Sequence, residues 1–187
     1  PAFLSYFDCG AHLRHCFLAM PYLSEGTLKD GLLRKTKYSE QEALGLILYL
    51  VKALQSAEKT SQTGHLSINP SNIMFNDIGN AILADYGIRN WKRKFCKKND
   101  AFNAWTRYEA PEFANESGGD FISDIYSLGV ILCDMLSGLP PAEERQFNRD
   151  ASLKSCKAGK ETLGIIRSAT EPARKRRIQS YDVFLKM

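Results

Sequence analysis

Residues 122–137 constrain the fold of this chain more than any other stretch, because they read as a helix that is apolar on nearly all sides. Ile125, Leu128, Val130, Ile131, Leu132, Met135 and Leu136 leave no polar face wide enough to meet water. Such a helix must be enclosed by other elements, so the remainder of the chain is expected to pack around it. Gly138 and Pro140-Pro141 stop it. With 187 residues, 44% of them hydrophobic, the chain is large enough for one domain with a real core. The longest apolar runs, 43–51 and 125–133, are too short to span a bilayer.

The flanking sequence supplies mostly helices. Ser39-Glu40-Gln41-Glu42 has the hydroxyl and carboxylate spacing of a capping box. It launches a helix whose Leu44, Ile47, Leu48, Val51 and Leu54 fall on one face, and the polar stretch from Lys59 to Gly64 ends it. Ser24-Glu25-Gly26-Thr27 opens a shorter helix, and two closing helices are expected over 161–170 and 178–186. Strands are expected at 3–7 and 15–20, joined by a turn at Asp8-Cys9-Gly10, and at 73–75 and 81–84, joined by Asn76-Asp77-Ile78-Gly79-Asn80. Residues 88–109 read as irregular, and 142–160 are polar without a clear assignment. The pattern is mainly α, of the α+β type, with a few short strands.

Several short motifs carry the functional signal. His65-Leu66-Ser67-Ile68-Asn69-Pro70-Ser71-Asn72 is followed by Asp85-Tyr86-Gly87, then by Ala110-Pro111-Glu112 and by Ser123-Asp124-Ile125-Tyr126-Ser127-Leu128-Gly129. Phe17-Leu18-Ala19-Met20-Pro21-Tyr22-Leu23 precedes them, and Arg177 lies near the end. In order and spacing these resemble the eukaryotic protein kinase superfamily. Its catalytic loop reads H-R-D-x-x-x-x-N, its metal motif D-F-G, and its activation segment ends in A-P-E. The resemblance implies a kinase C-terminal lobe over 24–187, with 1–23 as a remnant of the N-terminal lobe's strands and hinge. That lobe is otherwise largely absent: there is no glycine-rich loop, no strand lysine and no helix glutamate to pair with it.

The same resemblance assigns roles and removes some. Ser67 occupies the position of the aspartate that accepts the substrate's proton, and a hydroxyl is not a base near neutral pH. Leu66 replaces the arginine that commonly grips a phosphorylated segment, and Asn69 replaces a lysine. Asn72 and Asp85 match the two metal-binding positions and offer hard oxygen donors of the kind magnesium prefers. They also suit turns, where their side chains accept backbone hydrogen bonds. Met20, Tyr22 and Leu23 match the hinge that borders a nucleotide. His65 and Tyr86 are expected to stack beside Asp124, and Glu112 to form a buried ion pair with Arg177, with Arg176 as the alternative. The implied protein is a pseudokinase, a catalytically inactive scaffold or allosteric partner that binds no cofactor in this fragment. ATP and Mg enter only with an upstream lobe. Two other readings stay open: an unorthodox Ser/Thr kinase whose nucleotide-binding lobe lies upstream, and a non-catalytic kinase-like lobe that captures peptides.

Charge and cysteine content narrow the partners. The net charge of +4 is mild. Arg89, Lys92, Arg93, Lys94, Lys97 and Lys98 interleave with Trp91 and Phe95, and Arg174-Lys175-Arg176-Arg177 forms a second basic cluster. The first cluster is expected to meet a protein partner with an acidic surface. No nucleic-acid-binding motif accompanies it. Cysteines at 9, 16, 96, 133 and 156 form no C-x-x-C pair. Reduced thiols and a cytoplasmic or nuclear setting are therefore expected.

Overall fold

A computed structural model describes residues 2–12, 15–34, 37–61, 63–89, 107–115, 119–138 and 147–187. The apolar helix, here α3 once its predecessors are numbered, runs Phe121–Ser137, and every residue from Ile122 to Leu136 is buried. Asp120 caps it, accepting from the Ile122 amide, and Ser123 completes a capping box. Gly138 closes it at φ +64, a left-handed conformation that glycine adopts without strain. Pro140-Pro141 lie outside the described residues.

The elements around this axis follow in chain order. β1 (Asp8–His12) and β2 (His15–Ala19) form an antiparallel hairpin. Helix α1 (Leu28–Leu33) starts at a Thr27–Asp30 capping box, and α2 (Glu40–Ser61) at the expected box, in which Ser39 and Glu42 exchange hydrogen bonds. β3 (Ile73–Phe75) and β4 (Ala81–Leu83) pair antiparallel across a turn held by the Asn76 side chain. After α3 come α4 (Arg149–Ser155), α5 (Lys160–Ala169) and α6 (Tyr181–Lys186). Helices α2, α4 and α5 all pack on α3, and α6 packs on α2.

Five expectations change. The residues Asp8-Cys9-Gly10 do not turn; they lie inside β1, whose pairing with β2 runs from Asp8 opposite Ala19 to His12 opposite His15. Gly10 stands opposite Phe17, and a Cβ there would fall 2.7 Å from the Phe17 ring. The glycine makes room for a cross-strand aromatic rather than for a bend. On α2 the buried face is Ala43, Ile47, Leu50, Val51 and Leu54, while Leu44 and Leu48 are only partly covered. The helix lies between α3 and α6, and that placement selects which apolar residues turn inward. A helix, α4, occupies part of the unassigned polar stretch, capped by Asn148. The last helix starts at Tyr181, not at 178, because Ile178 is in extended chain and donates its amide to Ser168. Of the expected strand over 3–7, Phe3 makes a parallel bridge to Leu83 in β4, with backbone hydrogen bonds of 2.8 Å on either side.

Two close contacts lock the helices. Gly129 lets α3 approach α5: a Cβ there would lie 2.7 Å from Ala169 Cβ and 2.9 Å from Thr170 Cγ2. Farther along, Arg177 donates from both terminal nitrogens to Glu112, at 2.7 and 2.9 Å. Its remaining donors go to the carbonyls of Glu171, Ile122 and Pro172, and Ser123 adds a hydroxyl donor to Glu112. The guanidinium is 0% exposed, so the pair ties the 111–115 turn to α3 and the C-terminal segment with its donors satisfied.

Removing one side of that pair strands a buried charge. Glu112→Ala is expected to lower unfolding stability by about 3–5 kcal/mol. Arg174→Ala, which breaks a half-exposed pair with Asp120, should cost about 1 kcal/mol or less. Gly129→Ala should cost about 1–3 kcal/mol through overpacking against α5. Urea unfolding of the three variants checks the order.

Candidate functional site

The site is a loop hung from one carboxylate. Asp124, in the first turn of α3, is fully buried and accepts the backbone amides of His65 at 2.6 Å and Leu66 at 2.7 Å. Tyr181 adds its hydroxyl at 3.3 Å. The neighbouring Gly64 passes so close to α3 that a Cβ would lie 2.7 Å from Asp124 Oδ2 and 2.8 Å from the Phe121 nitrogen. Leu66 then takes a positive φ of 64°, unusual for a branched side chain. It is buried, so the position that the resemblance gives to a phosphate-binding arginine is here part of the core.

His65 and Tyr86 meet edge to face, with ring centroids 5.2 Å apart, and Phe3 packs on the other side of Tyr86 at the same distance. The Tyr86 hydroxyl donates to the Thr63 carbonyl. This aromatic row places Asp85, one residue earlier, against the loop. Burial pushes the Asp124 carboxyl up to about 7, opposed by the hydrogen bonds from the Leu66 and His65 amides and from Tyr181. Burial also presses the His65 imidazole down to about 4, and its Nε2 has no hydrogen-bond partner among the described residues.

The loop's polar residues largely satisfy one another. Asn69 Oδ1 caps the turn Pro70–Asn72 by accepting the amides of Ser71 and Asn72. Asn72 Nδ2 donates to the Ser67 carbonyl at 2.8 Å, and Asn69 Nδ2 donates to the same oxygen at 3.0 Å. The Asn72 carbonyl accepts from the Ala84 amide, which sets Asn72 beside the strand that leads into Asp85. Asp85 has φ +67 and is clasped by Tyr6: the tyrosine hydroxyl donates to Asp85 Oδ1 and accepts the Asp85 amide at 2.9 Å. Burial and the adjacent carboxylate push the Tyr6 hydroxyl well above the usual phenol range. Nothing in the sequence near Asp85 points to Tyr6, which lies 79 residues away.

The other candidate residues spread apart. Met20 and Tyr22 are exposed and Leu23 is half-buried. An open depression of about 510 Å³ lies next to this hinge segment, lined by Ser24, Glu25, Gly26, Asp30, Leu33 and Arg34. None of Ser67, Asn72 or Asp85 lines it. Arg89 turns inward, pairing with Glu109 and lying 4.0 Å over the Phe113 ring, so it is not a free surface cation. Trp91, Lys92, Arg93, Lys94 and Phe95 fall outside the described residues. Three residues of the second basic cluster form ion pairs within the fold: Arg174 with Asp120, Arg176 with Glu171, and Arg177 with Glu112, while Lys175 is exposed.

One buried polar cluster lies outside the motif residues. Asp134 accepts two hydrogen bonds from Arg107, at 2.6 and 3.1 Å, and one from Tyr108 at 2.9 Å. The available signal was a second carboxylate, besides Asp124, in an otherwise largely apolar helix, which has to be paired.

The buried imidazole yields a pH test with a definite sign. Its folded-state affinity for a proton is depressed relative to the ordinary value. The stability it contributes is therefore complete above about pH 6.5 and is lost as pH falls toward 4. Asp124 works the other way, since its raised value favours the protonated fold below about pH 7. A His65→Phe variant removes only the first effect. Its stability relative to the parent should improve by about 2 kcal/mol between roughly pH 7.5 and pH 5, read by chemical unfolding at each pH. An unchanged difference would mean that His65 takes up its proton equally in both states.

Comparison with known proteins matches this arrangement. The family described as Protein kinase domain matches residues 2–181. The chain is 27% identical over 153 residues to the serine/threonine-protein kinase PknL of Mycobacterium tuberculosis (strain ATCC 25618 / H37Rv), covering 81% of this chain and 37% of that protein. It is 30% identical over 135 residues to the serine/threonine-protein kinase cst-1 of Caenorhabditis elegans, covering 71% of this chain and 27% of that one. The chain thus spans well under half the length of these relatives. The crystal structure of the Mycobacterium tuberculosis PknI kinase domain superposes with a TM-score of 0.77 at 20% identity, over 100% of this chain and 70% of that one, a likeness of fold. The match across nearly the whole length, on a loop hung from Asp124 and a lobe clamped by Glu112 and Arg177, makes this chain a member of the protein kinase domain family.

Proposed function

We propose that this chain is a pseudokinase lobe, a kinase fold that binds a protein partner and does not transfer phosphate. One observation carries the reading: the loop position that must accept a hydroxyl proton holds Ser67, and no carboxylate replaces it within the loop. The geometry around it supports the same reading. Asn72 and Asn69 are turned onto the Ser67 carbonyl, and Leu66 is core, so the loop is stabilised by its own hydrogen bonds and carries no cation.

Asn72 and Asp85 fit magnesium in donor chemistry, one carboxamide oxygen and one carboxylate. When bound, magnesium would supply charge neutralisation at the phosphates of ATP, which would supply the phosphoryl group. Asn72 Oδ1 and Asp85 Oδ2 are the atoms of this chain that would face them. Tyr6 already occupies Asp85 Oδ1. Among the described residues no group of three or more His, Cys, Asp or Glu side chains could hold a metal ion.

The retained Asn72 and Asp85 favour one other reading, an unorthodox Ser/Thr kinase completed by an upstream nucleotide-binding lobe. Its relatives bear the name serine/threonine-protein kinase. Partner binding is assigned to the segment after Arg89, on its basic and aromatic composition, and to the exposed face around Tyr22.

A phosphoryl-transfer assay on the full-length protein, with any upstream nucleotide-binding lobe in place, separates the two. With radiolabelled ATP and magnesium, the parent should label neither itself nor a generic substrate above the level of Asp85→Ala. Transfer by the parent that Asp85→Ala abolishes would establish the enzyme instead. A partner pulled from extract by the parent and lost in Trp91→Ala, more readily at high salt, is the expected companion result.

A further inference from the structure

One pair of nucleophilic side chains stands apart from the site above. Cys133, near the end of α3, is fully buried, and Cys156, the residue directly after α4, is partly exposed. Their Sγ atoms lie 3.0 Å apart. A disulfide needs about 2.05 Å between sulfurs, so closure requires a movement of about 1 Å. The backbone already sets the two residues side by side. The Lys157 amide donates to the Leu136 carbonyl at 3.2 Å, and the Cys156 amide to Leu153 at 3.3 Å. The Cys156 sulfur also faces the carbonyls of Cys133 and Ser152, at 3.5 and 3.3 Å.

The two thiols are chemically unlike. The hydrogen bond to Cys156, together with burial, pushes the Cys133 thiol up, and the same hydrogen bond holds Cys156 below the usual thiol range. Cys156 is therefore the sulfur that ionises first and the one that solvent reaches. A partly exposed thiol that ionises readily, beside a protonated, buried partner, is the arrangement of an oxidisable cysteine with its resolving thiol. Ordinary core cysteines sit among apolar neighbours as small hydrophobes, with no second sulfur in reach.

We propose that Cys133 and Cys156 form a reversible intramolecular disulfide when the protein meets hydrogen peroxide. The Cys156 thiolate attacks one peroxide oxygen, the O–O bond breaks, and the departing hydroxide takes a proton to leave as water. Cys156 is then a sulfenic acid. The Cys133 sulfur attacks the Cys156 sulfur, the S–O bond breaks, and the hydroxyl leaves as a second water with the Cys133 proton. Two thiols are oxidised by one peroxide, and a thiol reductant reverses the bond by exchange. The bridge staples the end of α4 to the central helix and closes a loop between residues 23 apart in sequence, which restricts the unfolded chain. It holds whether or not the lobe transfers phosphate.

The test treats the protein with hydrogen peroxide, alkylates the remaining thiols, and maps the peptides by mass. A Cys133–Cys156 linked peptide, absent after reductant and absent in Cys156→Ser, is the expected result. The oxidised protein should melt several degrees higher than the reduced one. In Cys133→Ser, dimedone should trap a sulfenic acid at Cys156. The proposal fails if Cys133 and Cys156 are both recovered alkylated while exposed Cys9 has reacted, or if the only bridges join separate chains or other cysteines.

Discussion

The rest of this lobe depends on the Asp124 carboxylate. It sits at the head of an entirely buried helix and accepts two backbone amides from the loop that passes over it. A carboxylate in so dry a place is costly unless its oxygens are filled. The two amides and the Tyr181 hydroxyl fill them, and in doing so they hold the 64–72 loop to α3. Gly64 has to be a glycine for the same reason, since any side chain would enter the space between loop and helix. The aromatic row from Phe3 through Tyr86 to His65 is then positioned by the loop, and Asp85 by the row.

This separates framework from chemistry in the kinase fold. The features that keep the lobe folded are intact: the Asp124 anchor, the Glu112–Arg177 clamp, and the Gly129 contact between α3 and α5. Those features are buried, and removing any one leaves unpaired backbone amides, an unpaired charge or a steric clash. The positions that differ from the family pattern, Leu66, Ser67 and Asn69, serve local structure instead. Leu66 adds to the core, and Asn69 caps a turn. The loop satisfies part of its own backbone, with two asparagines donating to one carbonyl.

Much of this was legible in the chain itself. The central helix, both expected strands around residues 73–83, the capping box at Ser39, and the partnership of Glu112 with Arg177 follow from local pattern or from ordered motifs. The N-terminal hairpin was misread because Asp-Cys-Gly is a turn signal locally, whereas Gly10 is used to admit the Phe17 ring from the facing strand. On α2 the expected Ile47, Val51 and Leu54 do face inward, but Ala43 and Leu50 take the places expected of Leu44 and Leu48, because the apolar positions are wide enough to allow two choices.

What the sequence determined by itself is therefore periodic or short-range: an all-apolar helix must be enclosed, a hydroxyl three residues before a carboxylate caps a helix, and a serine cannot act as a base. What only the tertiary structure decided are meetings between distant residues. Tyr6 closes on Asp85 from 79 residues away, Arg107 and Tyr108 converge on Asp134, and Cys133 comes to lie against Cys156. Each involves side chains whose local sequence is unremarkable on its own. Their contact depends on how the helices pack around α3, and packing is set by volume and shape over the whole core, which no local pattern encodes.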